Sequence, residues 1–172
     1  MVNTNFDTGV IPTSNTHVVV RCRMTSTSNG AIIGLYESNS IRYVIQHLNS
    51  RFYFEVGSTA KNINTDTNIH TFELYGNGTY VIDGTSYDIG STLGTTTVSM
   101  GLLSRRGTNN SYGYQATNCE LYSAKIYEGT TLVKDYVPYR YRGNVYIKDK
   151  VSGSIEWLGY GDNFDIGNDV NS

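Results

Sequence analysis

Apolar and polar residues alternate along most of the chain with a period of two, which indicates short β-strands that bury one face. The strand-like segments are 18–24, 31–36, 41–46, 51–56, 70–75, 80–82, 85–89, 98–103, 119–127, 132–141, 145–149 and 154–158, of which 31–36 is a more continuous apolar run. No segment keeps a helical period over about eleven residues or more. About a dozen strands exceed what one open twisted sheet carries without splitting into two. The pattern therefore predicts an all-β fold, a two-sheet antiparallel jelly-roll sandwich.

The clearest local signals are two turn dipeptides, Asn77-Gly78 and Asp83-Gly84, each between two strand-like runs. Both dipeptides favour type I′ turns, because the two central residues of such a turn take a positive φ and the resulting twist matches the flanking strands. They predict two successive hairpins, which form a meander over residues 68–89.

Two later strands carry more specific predictions. Strict alternation in 119–127 places Glu120, Tyr122, Ala124 and Ile126 on one face of the strand. Pro138, within 132–141, lacks the amide proton that a residue of a central strand donates. It therefore predicts an edge position or the end of a strand.

Composition and charge narrow the class of protein. The chain has 172 residues, the size of one domain, and 16% of them are charged. Its net charge of −2 and sequence pI near 5.9 provide no basic field for nucleic acid, and the low net charge also disfavours disorder. Strand-forming Thr, Val, Ile and Tyr are frequent, which disfavours a helical bundle. Apolar runs are only a few residues long, so no membrane span is predicted.

The N-terminal sequence and the cysteines bear on the compartment. The first residues show no basic stretch followed by an apolar run, so no secretory signal is predicted. Cys22 and Cys119 each lie within a strand-like run and could pair across the core. Without a signal for export, two free buried thiols are favoured, and the disulfide remains the alternative.

Four segments carry a likeness to a known family. They are Phe6–Pro12 (FDTGVIP), Leu121–Gly129 (LYSAKIYEG), Leu132–Pro138 (LVKDYVP) and Val145–Gly153 (VYIKDKVSG). In these segments, and in their order along the chain, the sequence resembles the laminin G-like jelly-roll domains of the concanavalin A-like lectin/glucanase superfamily. The first segment resembles the turn before the family's first long strand, and the others resemble its late strands and closing hairpin.

The resemblance implies a concanavalin A-like sandwich that forms one domain over residues 1–158. The Gly-, Asn- and Asp-rich residues 159–172 are expected to be an irregular C-terminal tail. Short domains of this family are common in phages and in gut bacterial surface proteins. The superfamily includes lectins, hydrolases and structural modules, so the resemblance by itself assigns no activity.

Catalytic motifs are missing from the sequence. Glycoside hydrolysis needs two carboxylates across the scissile bond, which the glucanases of this superfamily place on one strand as Glu-x-Asp-x-x-Glu. This chain has no such pattern, and each strand-borne glutamate is alone on its strand: Glu55, Glu73, Glu120 and Glu156. The histidines have no nucleophile motif beside them and no paired spacing for zinc: His17, His47 and His70. We therefore predict that the protein is not an enzyme.

The polar segment 104–115 is the strongest candidate for a ligand site. Aromatic faces pack on the C–H patches of sugars, and planar amide and guanidinium groups reach the sugar hydroxyls. The segment has side chains of all three kinds: Arg105, Arg106, Asn109, Asn110, Tyr112 and Tyr114. The alternative is a solvated connection whose tyrosines pack on its own surface.

Calcium is the one cofactor that the sequence leaves open. Asp162–Asp169 contains several oxygen-bearing side chains, which calcium prefers, but lacks EF-hand spacing. The expectation is no cofactor, with Ca²⁺ at this segment as the alternative.

These observations favour a non-catalytic, lectin-like surface-recognition module, either carbohydrate-binding or adhesive, exposed on a phage virion. Its partner would be a cell-surface glycan or a neighbouring virion or surface protein, and homo-oligomerisation is left open. Virion proteins assemble in the host cytoplasm without a leader, and a cytoplasmic protein or part of a bacterial surface assembly is the alternative.

Two other functions remain open. A virion structural or decoration protein would act through protein–protein contacts and should show an oligomer or an exposed apolar patch. A degenerate glycoside hydrolase would require two carboxylates about 5–10 Å apart in a cleft.

Overall fold

The computed structural model describes residues 6–26, 29–108, 111–113, 119–141 and 144–160, which form β-strands joined by turns and loops. The strands are β1 (Phe6–Asp7), β2 (Thr16–Met24), β3 (Gly30–Ser38), β4 (Ile41–Leu48), β5 (Arg51–Val56), β6 (Thr59–Asn64), β7 (His70–Tyr75), β8 (Thr79–Ile82), β9 (Thr85–Asp88), β10 (Gly101–Leu102), β11 (Arg105–Arg106), β12 (Tyr112–Gly113), β13 (Cys119–Glu128), β14 (Thr131–Tyr141), β15 (Asn144–Asp149) and β16 (Ile155–Tyr160). Within these ranges no helix is long and apolar enough to cross a lipid bilayer.

The strands form two sheets of eight strands each. Sheet A has the order β1-β10-β3-β4-β5-β6, with β11 paired to β3 and to β12, and sheet B has the order β16-β15-β14-β13-β2-β7-β8-β9. Neighbouring strands are antiparallel, apart from one parallel pairing between β11 and β3. The predicted all-β class with two antiparallel sheets is therefore confirmed.

Apolar side chains from the inner faces of the two sheets form a common core. Phe52 and Phe54 of β5 contact Phe72 of β7, with ring centroids 4.8 and 5.4 Å apart. Phe54 also stacks on Tyr80 of β8 at 4.6 Å. These contacts join sheet A to sheet B, and burial of this apolar area is the main force that holds the sheets together.

Tyr43 of β4 provides a polar link across the same core. Its ring is buried, and its single hydroxyl proton is shared between the carbonyl oxygens of Leu74 (2.5 Å) and Thr16 (3.3 Å) in sheet B. Burial raises the pKa of the Tyr43 hydroxyl well above its ordinary value, so the group remains a donor. The buried hydroxyl is thus satisfied by backbone groups of the opposite sheet.

The predicted meander is confirmed as β7, β8 and β9. Asp83 and Gly84 have φ values of 48° and 84°, which agrees with the predicted type I′ turn. The prediction for Asn77-Gly78 is wrong, because only Gly78 of that pair has a positive φ, 96°. Gly76 leaves the β7–β8 ladder: its N–H donates to Thr16 and its carbonyl accepts from Leu93. The loop therefore has three residues and ends in a bulged glycine.

Strand lengths differ from the predictions at several places. The predicted strand 98–103 is reduced to β10, because residues 93–100 are irregular and Met100 pairs with residues 8–10 only through isolated hydrogen bonds. Strands β1, β6, β11 and β12 were not predicted. Strand β16 continues to Tyr160, two residues into the predicted tail, and residues 161–172 lie outside the described residues.

Pro138 does not mark β14 as an edge strand, since β14 lies between β13 and β15. The pairing with β13 runs from Thr131 to Tyr136, and Pro138 lies beyond it, opposite Ile147 of β15. Pro138 therefore lies beyond the last residue of β14 that pairs with β13, so its missing amide proton removes no hydrogen bond between these two strands. For this reason a strand in the interior of the sheet tolerates the proline.

The predicted grouping of side chains on β13 is also wrong. The register between β13 and β2 shifts between Leu121 and Ser123, which is a β-bulge. As a result Leu121, Ala124 and Ile126 belong to the core, whereas Glu120 accepts a hydrogen bond from Tyr122 on the outer face. An extra residue in one strand changes which face every earlier side chain occupies.

His70 begins β7 and stacks on Phe72, and both of its ring nitrogens bond to carboxylates, Nδ1 to Asp83 at 2.7 Å and Nε2 to Asp66 at 2.9 Å. Burial lowers the pKa of His70, but the bonds to Asp83 and Asp66 outweigh burial and raise it above its ordinary value of 6.5. The stabilisation from protonated His70 is therefore complete below pH 6.5 and is lost as pH rises through the raised pKa.

We expect His70→Gln to remove this part of the pH dependence. Both carboxylates are half exposed, so the difference in free energy of unfolding from the wild type should be about 0.5–1 kcal/mol at pH 6 and smaller at pH 8.5. Urea unfolding across pH 5.5–9 would measure it. A difference in free energy of unfolding between wild type and variant that stays constant across this pH range would contradict the role assigned to His70.

Candidate functional site

The predicted ligand segment begins with two short strands. Arg105 and Arg106 form β11, which pairs antiparallel with Tyr112 and Gly113 of β12. Arg106 also pairs with Leu35 of β3, so this segment is attached to sheet A. Three of the six predicted residues lie outside the described residues: Asn109, Asn110 and Tyr114.

A reversal of the chain before β11 positions the two arginines. Leu103 is buried with a φ of 56°, a left-handed conformation that costs a leucine about 1–2 kcal/mol. Its N–H donates to the carbonyl of Ile32 at 2.7 Å, which holds the turn. The chain then folds back over Gly101, where a Cβ atom would lie 2.5 Å from the Ser104 Oγ. Glycine at 101 therefore leaves the space that residues 104–106 occupy.

Arg106 points into the fold. Its side chain is buried and forms an ion pair with Asp7 of β1 and a hydrogen bond to Ser99. Burial raises the pKa of Asp7, but the Gly9 amide, Ser99 and Arg106 together outweigh it and hold the pKa below its ordinary value. Asp7 also accepts from the Gly9 N–H at 2.9 Å, which closes the turn that follows β1. In this arrangement Arg106 anchors the start of the chain to the segment.

Arg105 lies on the opposite side of β11, as alternation along a strand requires. Its guanidinium carbon is 4.4 Å from the centre of the Tyr36 ring of β3. Its Nη1 donates to the Gln46 Oε1 of β4 at 3.0 Å. Arg105 therefore contacts the face of sheet A that points away from the core.

A set of five side chains surrounds this contact, and we call it the Tyr36 cluster: Tyr36, Arg42, Gln46, Glu55 and Arg105. The Gln46 amide nitrogen donates to Glu55 Oε1, and Arg42 Nη1 donates to Glu55 Oε2 at 2.9 Å. The Arg42 guanidinium lies 5.7 Å from the centre of the Tyr36 ring. Gln46 and Glu55 are only 1% and 4% exposed. Their bonds to each other, to Arg42 and to Arg105 satisfy these buried polar groups within the cluster.

The β4–β5 hairpin brings the polar side chains together. Asn49 and Ser50 have φ values of 50° and 60°, which form a two-residue type I′ turn. The turn sets a register that places Gln46 opposite Tyr53 and Val44 opposite Glu55. The alternation in 41–46 and 51–56 was a signal for part of the cluster, because it places Arg42 and Gln46 on one face of β4 and Glu55 on one face of β5. The contacts with Tyr36 and Arg105 depend on the tertiary structure.

The chemistry of the Tyr36 cluster is suited to binding polar ligands. Gln46 and Glu55 are bonded to each other and to the two arginines, so a ligand would meet mainly the Tyr36 ring and the guanidinium groups of Arg42 and Arg105. The cluster holds one carboxylate, and both oxygens of that carboxylate already accept bonds from Gln46 and Arg42. The arrangement therefore differs from the two-carboxylate chemistry of glycoside hydrolysis.

The outer face of sheet B carries a second polar and aromatic group. The His17 ring stacks between Tyr75 and Tyr127, with centroid distances of 3.8 and 5.3 Å, and its Nε2 is 2.9 Å from a Glu73 carboxylate oxygen. Burial lowers the pKa of His17 despite Glu73, and burial together with Glu73 raises the pKa of Tyr75 to about 12. The stacked rings of His17, Tyr75 and Tyr127 therefore link β2, β7 and β13 on this face of the sheet.

A shallow groove of about 200 Å³ lies between residues 11–14 and 93–96. Its lining includes Ile11, which is about half exposed, together with threonines and Leu93. It is smaller than the cavities of about 300–1,000 Å³ that usually hold small ligands. None of the predicted site residues lines it.

No group of three or more metal-binding side chains occurs within the residues that the structure describes. The predicted calcium segment, Asp162–Asp169, lies outside them. Cys22 and Cys119 are free thiols, as expected, although Cys119 is partly exposed rather than buried.

Comparison of the chain with protein-family models, with curated proteins and with solved structures finds no match. The likeness to laminin G-like domains therefore stays a prediction, and the functional argument depends on the residues themselves.

Proposed function

We propose that this chain is a non-catalytic, lectin-like recognition module that binds carbohydrate over the Tyr36 cluster and the predicted ligand segment 104–115. The observation that carries the proposal is the contact of Arg105 with Tyr36 and Gln46. This contact joins the segment predicted to bind a ligand to a polar and aromatic face of sheet A. Arg106 is assigned a structural role, because its guanidinium is buried against Asp7.

The finer fold in this proposal is a concanavalin A-like jelly roll. The path of the chain supports it, because the chain passes from one sheet to the other after β1, β2, β6, β9 and β12. The first long strand, β2, lies beside the late strand β13. The proposed setting, exposure on a phage virion with a cell-surface glycan as partner, follows from the same resemblance.

A glycan-array screen of the purified chain tests the function. We expect binding to at least one glycan class, and we expect Arg105→Ala to weaken it about tenfold or more, since it removes about 1.4 kcal/mol or more of polar and ring contact. A Tyr112→Ala/Tyr114→Ala double variant tests the aromatic side chains of the segment in the same screen.

Arg21→Ala is the matched control for Arg105→Ala. Arg21 also places a guanidinium over a tyrosine ring, 5.4 Å from the centre of Tyr122, but on the outer face of sheet B. It should leave binding unchanged. Binding that survives Arg105→Ala and the double tyrosine variant would move the site elsewhere. No binding at millimolar sensitivity would reject the lectin function.

The second candidate, a structural or decoration protein, is favoured by the tip of the last hairpin. Val151 lies in the β15–β16 turn and Ile155 begins β16, and the two residues are 50% and 49% exposed. Contiguous exposed apolar patches of more than a few hundred Å² mark protein–protein contact sites, and these two side chains would contribute to such a patch. If the glycan screen is negative, this function becomes the better explanation.

A further inference from the structure

The two cysteines lie on neighbouring strands of sheet B. In the antiparallel register of β2 and β13, Leu121 is opposite Cys22 and Cys119 is opposite Met24. Cys22 and Cys119 are therefore diagonal neighbours on one face of the sheet, the face that contributes Cys22 and Met24 to the core. Diagonal neighbours on an antiparallel sheet lie about 7–8 Å apart, slightly farther than the roughly 4.4–6.8 Å between the Cα atoms of a disulfide, so closing this pair requires a small shift of the two strands.

The two thiols differ in exposure but contact each other. Cys22 is 0% exposed, whereas Cys119 is partly exposed and packs against the edge of the core. Their side chains form a hydrogen bond, which together with burial raises the pKa of the Cys22 thiol well above its ordinary value. Cys119 is therefore the more accessible of the two cysteines, and Cys22 is held beside it away from solvent.

We propose that Cys22 and Cys119 are a redox-responsive pair that closes into a cross-strand disulfide when the protein meets a low-molecular-weight disulfide such as oxidised glutathione. The partly exposed Cys119 loses its proton to solvent, and its thiolate attacks one sulfur of the reagent, whose S–S bond breaks and releases one glutathione thiolate. Cys22 then loses its proton to that thiolate, and its sulfur attacks Cys119 in the mixed disulfide. The second glutathione leaves as a thiolate and takes up a proton from solvent, so two protein thiols are oxidised and one disulfide is reduced to two thiols.

The disulfide would join the two central strands of sheet B. It would close a loop that contains every strand from β3 to β12, and long closed loops restrict the unfolded chain most strongly. The oxidised form should therefore resist denaturation better than the reduced form. The Tyr36 cluster lies on sheet A, so this role is independent of the proposed carbohydrate binding.

The test uses the full chain, reduced and then incubated under native conditions with oxidised glutathione. Intact mass should show the loss of two hydrogens, and a non-reduced digest should contain one cross-linked peptide pair. The chain has only these two cysteines, so the assignment is unique for a monomer. The midpoint of urea unfolding should be higher for the oxidised form than for the reduced form.

Two single variants serve as matched controls. Cys22→Ser should retain one glutathione on Cys119, because the second thiol is missing, whereas Cys119→Ser should remain unmodified while folded, because Cys22 is buried. A wild type that keeps a stable mixed disulfide would overturn the proposal. Two thiols that stay free, a disulfide-linked dimer or loss of the β-sheet circular dichroism on oxidation would also overturn it.

Discussion

Phe72→Ala is expected to lower the free energy of unfolding by about 3–5 kcal/mol. Phe72 is fully buried, and its ring contacts Phe52 and Phe54 from the opposite sheet. Removing the ring deletes apolar area from the centre of the interface and leaves a cavity that two rigid sheets cannot fill. Equilibrium unfolding in urea, followed by circular dichroism, measures the loss.

Two variants control for side-chain size and for position. Phe72→Leu keeps most of the apolar volume and should cost less than Phe72→Ala. Tyr87→Ala removes an aromatic ring from the same meander, but that ring is 44% exposed, so the change should be below about 1 kcal/mol. A loss below about 1 kcal/mol for Phe72→Ala would mean that the two sheets do not share this core.

Asp149→Ala is expected to lower the free energy of unfolding by about 2–4 kcal/mol. The Asp149 side chain is buried at the end of β15 and accepts four hydrogen bonds. The donors are the N–H groups of Asp135 and Val151, the Lys134 ammonium and the Ser152 hydroxyl, at 3.1, 3.0, 3.1 and 2.7 Å. The substitution leaves these donors without the carboxylate that orders the β15–β16 turn.

The same carboxylate should make the protein sensitive to acid. Burial raises the pKa of Asp149, but its bonds to Ser152, Asp135, Lys134 and Val151 outweigh burial and lower the pKa from 3.8 to about 2. A depressed pKa contributes stability that is complete above pH 4 and is lost as pH falls through 2. The contribution amounts to about 2 kcal/mol, and Asp149→Asn should abolish this part of the acid dependence.

Asp88→Ala is the matched control for Asp149→Ala. Asp88 also lies at a turn, where its carboxylate accepts one backbone bond from Gly90 at 2.9 Å, but its side chain is exposed. Its replacement should cost about 1 kcal/mol or less. Equal losses for Asp88→Ala and Asp149→Ala would contradict the role of the buried hydrogen-bond network.

Local signals predicted the strands well where the chain alternates strictly and a specific turn follows. The meander over residues 68–89 was placed correctly, because Asp83-Gly84 and the alternation around it act within a few residues. The turn at Asn77-Gly78 has another type because Gly76 bonds to Thr16 and Leu93, which are remote in sequence. The bounds of β10 and the existence of β11 were not predicted for the same reason, because their partner strand, β3, is far away in the sequence.

The candidate site was predicted only in part. The segment 104–115 was singled out for its residue types, and Arg105 does reach a polar and aromatic face. Composition gave no means to separate Arg105 from Arg106, because both are arginines in one short strand. Their roles differ because alternation turns one toward Asp7 and the other toward Tyr36, and the partners come from β1 and β3.

The sequence by itself determined the all-β class, most of the strand positions and one hairpin turn type, because the two-residue period and turn dipeptides express short-range preferences of the backbone. Only the tertiary structure decided which strands are neighbours, where the β13 bulge lies, and which side chains form the Tyr36 cluster. These features depend on contacts between residues far apart in the chain. Such contacts are selected by packing of the two sheets as a whole, which no local pattern encodes.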